Sequence, residues 1–87
     1  MDLYKLALDL VETKGAFISV GLTRLKEFRA GSLTIHHMPA TGHLDVWYRR
    51  KVLAIDCRQG KLKVSHYVPG EDWEEELENV AKAKPSK

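Results

Sequence analysis

The sequence predicts one small α+β domain, and three observations carry that expectation. An amphipathic helical stripe opens the chain, period-two alternation fills its middle, and an acidic helical segment follows a Pro-Gly stop. The expected order is an N-terminal helix, a second segment that reads as helix or strand, a four-stranded antiparallel meander sheet and a C-terminal acidic helix. A chain of 87 residues has room for one domain and not two. We assign that domain to 1–84 and a frayed tail to 85–87.

The first helix is predicted over Asp2–Lys14. Leu3, Leu6, Ala7, Leu10 and Val11 follow i, i+3, i+4, i+7, i+8 spacing and form one apolar stripe. Asp2 complements the positive end of the helix dipole, and Lys14-Gly15 has the character of a C-terminal end. Leu8 falls off the stripe and implies a second contact.

Residues 16–30 carry two competing patterns. Ile18, Leu22 and Leu25 share a helical face, whereas Ile18, Val20 and Leu22 also alternate with Ser19 and Gly21. The helix formers of Thr23-Arg24-Leu25-Lys26-Glu27-Phe28 favour a helix over Gly21–Arg29, with a short strand at Phe17–Val20 as the competing reading.

From Ser32 the period is two. Leu33/Ile35, Leu44/Val46/Tyr48, Leu53/Ile55 and Leu62/Val64/His66 each alternate with polar or small residues, giving four half-buried strands. The connections Pro39–His43, Arg49–Lys51 and Arg58–Lys61 are short, so neighbouring strands run antiparallel. After Pro69-Gly70 a helix is expected from about Asp72, with Asp72 and Glu75 at capping-box spacing and Trp73, Leu77 and Val80 as its apolar stripe.

Composition narrows the function. The chain is 44% hydrophobic and 30% charged, a globular balance. Its one cysteine, Cys57, has no internal disulfide partner, and no Cys/His spacing suggests zinc. No signal peptide or 18-residue apolar run is visible, so a cytoplasmic protein with no membrane partner is expected. Charge is unevenly spread. Nine cations and three acids lie between Arg24 and His66, and six acids and no cation lie between Glu71 and Glu78.

Few residues point to catalysis. His36 and His37 are adjacent on a strand and point to opposite faces, His43 lies in a loop and His66 on the last strand. An enzyme built around His36, His37 or His66 is therefore the least favoured class. Cys57 reads as a small core residue, and Asp45 and Asp56 as surface residues at outward strand phases. No phosphate-binding glycine loop is present. The expectation is a protein with no enzymatic activity, no cofactor and no metal.

The stretch Val46-Trp47-Tyr48-Arg49-Arg50-Lys51-Val52 is the most suggestive. Alternation separates Trp47 from Tyr48, so one of them belongs to the core. If Trp47 faces outward with Arg49 and Lys63, the face suits an acidic protein surface or single-stranded nucleic acid. The candidate binding residues are Trp47, Arg49, Arg50, Lys51 and Lys63. In general character Leu44–Val80 resembles small proteins carried by phages and other mobile elements, and no residue role is transferred on that basis. The expected function is binding to a protein partner or to a second copy as a homodimer. The alternative is a sequence-nonspecific single-stranded nucleic-acid binder using the basic sheet face.

Overall fold

The computed structural model of the chain describes residues 2–82. The order is α1 (Leu3–Lys14), β1 (Ala16–Val20), β2 (Thr23–Ala30), β3 (Leu33–Met38), β4 (His43–Tyr48), β5 (Lys51–Arg58), β6 (Lys61–Tyr67) and α2 (Glu71–Lys82). The tail expected at 85–87 lies outside the described residues.

The fold is α+β, but the sheet has six strands rather than four. They form one antiparallel meander in the order β1-β2-β3-β4-β5-β6. The two additional strands are residues 16–30, where the helix expected over Gly21–Arg29 is instead a hairpin. Ile18 pairs with Leu25 at its centre. The physical reason is that β2 is paired on both sides, to β1 and to β3. A nine-residue helix is marginal without packing, whereas a central strand satisfies its backbone through two neighbours. Gly21 and Gly31 both have positive φ (63° and 62°), which lets the chain reverse in two residues at either end of β2. The signal was the pair of glycines, which outweighs helix propensity.

Both helices lie on one face of the sheet. Ala7, Leu10 and Val11 of α1 and Trp73 and Leu77 of α2 pack on Leu33, Ile35, Leu44, Val46, Leu53 and Ile55 in one buried cluster. Leu8 and Tyr48 pack against its margin, so the off-stripe leucine does make a second contact. The Trp73 indole N–H donates to the Val68 carbonyl at 2.8 Å, so this buried ring leaves no donor unpaired.

The helix starts are capped. Asp2 accepts the Lys5 backbone N–H at 3.1 Å. At α2 the reach-back carboxylate is Glu74, which accepts the Gly70 N–H at 3.2 Å; Glu75, expected in that role, stands one position too late. Among the described residues no helix is long and apolar enough to cross a membrane.

The β3–β4 connection passes close to the end of β5. Gly42 has φ 70° and its carbonyl accepts the Cys57 N–H at 2.9 Å. A Cβ at position 42 would collide with the Cys57 carbonyl. Gly42→Ala therefore meets both an unfavourable φ and a backbone clash. It should lower unfolding free energy by about 1–3 kcal/mol, measured as a shifted denaturant midpoint. Gly60→Ala also has positive φ (75°) but meets no atom within 4 Å, so it should cost less.

Candidate functional site

Two surfaces are candidates: the sheet face turned away from the helices, and the part of the helix-bearing face that the helices leave open.

The outer face is built by strand register. Glu27 pairs with His36, His36 with Asp45, His43 with Asp56, Asp56 with Lys63 and Thr34 with Trp47. These positions all point away from the helices, so acids, histidines and cations of successive strands meet side by side. Glu27 bonds His36 at 2.8 Å and lies 3.3 Å from Arg29. His43 Nδ1 lies 2.6 Å from Asp56, and its Nε2 lies 2.8 Å from Asp45. Lys51 Nζ reaches Asp45 at 3.6 Å.

This corrects the reading of Asp45 as a surface residue, since it is only 6% exposed. A buried carboxylate is costly without partners, and His43 and Lys51 supply them. His43 has a carboxylate on each ring nitrogen. A neutral imidazole has one N–H and would turn a lone pair toward one of these anions, so the charged ring, a donor at both nitrogens, fits best. The hydrogen bond to Asp56 chiefly raises the His43 pKa above its ordinary value, with Asp45 adding to it and burial opposing it. The same hydrogen bond lowers the Asp56 carboxyl. Glu27 is lowered by its bond to His36 and by Arg29.

The expected binding residues do not assemble into one platform. Trp47 is on the outer face and Tyr48 packs on the core side, which settles which aromatic faces out. Yet Trp47 is half-buried, with the His36 ring 4.7 Å away edge-on and Lys51 Nζ 5.3 Å above its ring. Trp47 and Lys51 are thus brought together, but each is already engaged. Arg49 leaves the strand alternation with φ 68° and stands 5.7 Å over Tyr48, not beside Trp47. Arg50 is exposed in the same turn. Lys63 is exposed beside Asp56, Arg58 and Lys61 near the β5–β6 turn, two strands from Trp47.

The other histidines have separate partners. His37 Nδ1 meets Glu12 at 2.8 Å and His66 Nε2 donates to the Lys51 carbonyl at 3.0 Å. Among the described residues no three His, Cys, Asp or Glu side chains are placed to hold a metal ion.

The second surface was not anticipated from sequence. Leu62, Val64 and Tyr67 of β6 point to the helix side but remain 52%, 57% and 46% exposed. With Leu53, Ile55, Leu3 and Tyr4 they line an open apolar groove of about 350 Å³. Tyr4 lies against Cys57, and burial raises its hydroxyl pKa. At the groove's other wall the Tyr67 hydroxyl donates to Glu74 at 2.8 Å. Glu74 belongs to a row on α2 with Glu71, Glu75 and Glu78. The groove therefore has an apolar floor, with the Asp2 carboxylate in its lining and Glu74 reached through the Tyr67 hydroxyl. Its signal in the sequence is the alternation of β6, whose pattern alone reads as a half-buried strand.

Comparison with protein-family models, curated proteins and solved structures finds no match to this chain.

The His43 cluster gives a pH prediction with a defined sign. Its folded pKa is raised, so its contribution is complete below the unfolded value near 6.5 and is lost as pH rises through the folded value. Asp56, lowered, contributes above its unfolded value near 3.9 and loses that contribution on acidification. The pair should therefore support the fold most between about pH 4 and 6.5. Denaturant unfolding of the wild type should show falling stability from pH 6 to pH 9, and His43→Asn should flatten that slope. An NMR midpoint for His43 below the free-histidine value would contradict the assignment.

Proposed function

We propose that this protein is a non-enzymatic interaction protein that seats an apolar, Lys- or Arg-flanked segment of a partner protein in the β5–β6 groove. The observation that carries this reading is the exposed row Leu62, Val64 and Tyr67, with Asp2 in the groove lining and Glu74 held at the Tyr67 hydroxyl. Contiguous apolar surface beside one sign of charge is costly to leave in water and marks an interaction site. Burial of the row against apolar partner side chains supplies affinity, and the carboxylates select cationic flanks. The outer face supports the same reading, because Trp47 and Lys51 already serve neighbours there.

Nucleic-acid binding is the competing outcome, supported by exposed Arg50 and the cations near Lys63. One titration separates the two. The probes are a labelled synthetic peptide alternating Leu with Lys, its Leu/Glu counterpart and a labelled oligothymidylate, each followed by fluorescence anisotropy. The Leu/Lys peptide should bind at least tenfold more tightly than the Leu/Glu peptide, a difference of about 1.4 kcal/mol. Val64→Glu should remove most of that binding, and Arg50→Glu should leave it intact. Oligothymidylate binding that falls steeply with salt and is lost in Arg50→Glu would overturn the proposal.

A further inference from the structure

The two edges of the sheet are built differently. β6 carries Lys61 and Lys63 and a bulge at Ser65, where the register to β5 shifts. Charges and bulges are the devices by which sheets discourage pairing with other chains. β1 has none of them. Its residues Ala16-Phe17-Ile18-Ser19-Val20 are uncharged, contain no proline and keep an unbroken register to β2. Among the described residues no strand covers its far side, and Phe17 and Val20 are 51% and 57% exposed.

We propose that β1 pairs with β1 of a second copy of this chain, antiparallel and centred on Ile18. A two-fold axis normal to the sheet then sets Ile18 against the partner's Ile18, Phe17 against the partner's Ser19, and Ala16 against the partner's Val20. Every pair is uncharged, and both copies keep their helices on the same side. The outer face supplies a second argument. Ile18 lies beside Leu25, a residue only 5% exposed on the outer face. Two-fold pairing joins this apolar pair to its equivalent and makes one strip across the axis. Pairing of β1 with β6 of another copy would instead set lysines against apolar residues and propagate without closing. A second copy bound through its own β1 closes the contact and leaves both β5–β6 grooves open. An interface of one short strand is smaller than the usual 800 Å² or so per partner, so a concentration-dependent equilibrium is expected.

Sedimentation velocity over a range of concentrations tests this on the full chain. The wild type should pass from one-chain to two-chain mass. Ile18→Lys sets two cations opposite each other, and Val20→Lys places a cation at an already exposed position. Both should sediment as monomers with a wild-type circular dichroism spectrum. Ile18→Glu should also be monomeric alone, and an equimolar mixture with Ile18→Lys should restore the two-chain species. A wild type that stays monomeric throughout overturns the proposal. So does a dimer that survives both lysine variants, or a Lys/Glu mixture that stays monomeric despite native spectra. A dimer abolished by Val64→Glu but not by Val20→Lys would place self-association in the groove, and would overturn it as well.

Discussion

The structure depends on one constraint: each inner strand of a meander must give both edges of its backbone to its sequence neighbours. β2, β3, β4 and β5 do so, and their N–H and C=O groups are satisfied without the helices. Register follows from the two-residue reversals at Gly21-Leu22, Gly31-Ser32 and Gln59-Gly60. Once register is set, so are the faces. Leu33, Ile35, Leu44 and Val46 share one side, and Glu27, His36, Asp45 and His43 share the other. A one-residue slip would exchange core and charge across the sheet.

The outer face shows what that register does chemically. Exposed ion pairs contribute little, roughly 0–1 kcal/mol each, so Glu27–Arg29, with Arg29 largely in solvent, is weak as an isolated pair. Asp45 is different because it is nearly buried. Its carboxylate relies on His43 and Lys51, and His43 in turn is held between two carboxylates. Carboxylates alternate with histidines and Lys51 across β2, β3, β4 and β5, so Trp47 and Lys51 are engaged inside the face while Arg50 stays exposed.

Much of this was legible beforehand. The amphipathic stripes of both helices, the four strands from Leu33 onward and the opposite-facing His36 and His37 all follow from periodicity alone. Residues 16–30 were misread because propensity is local and strand pairing is not. Arg24-Leu25-Lys26-Glu27 is good helix sequence, but no helix there could pair with both Ala16–Val20 and Leu33–Met38. The site was harder still. Alternation gives a residue's face but not its neighbours, so Asp45 looked exposed until His43 and Lys51 were seen around it. Arg49 left the pattern through a positive φ that no arginine advertises.

The half-exposed apolar side chains at the two ends of the sheet share one geometric origin. Each helix has 12 residues, which is about 18 Å of length. Six strands span about 24 Å across the sheet. α1 runs across the strands, with Asp2, Leu3 and Tyr4 near β5 and β6 and Glu12 near His37 and Lys26. A helix that short cannot shelter all six strands, and the shortfall appears at both ends. Phe17 on β1 and Leu62, Val64 and Tyr67 on β6 all point to the helix side and are all about half exposed. The two ends then diverge by sequence. β6 is lysine-bearing and bulged, which disfavours strand addition and leaves its apolar side chains uncovered. β1 is uncharged and regular, which leaves its backbone for another strand. The undersized helical layer thus leaves side chains open at both ends, and the terminal position of β1 in an open sheet adds an unsatisfied surface of main chain.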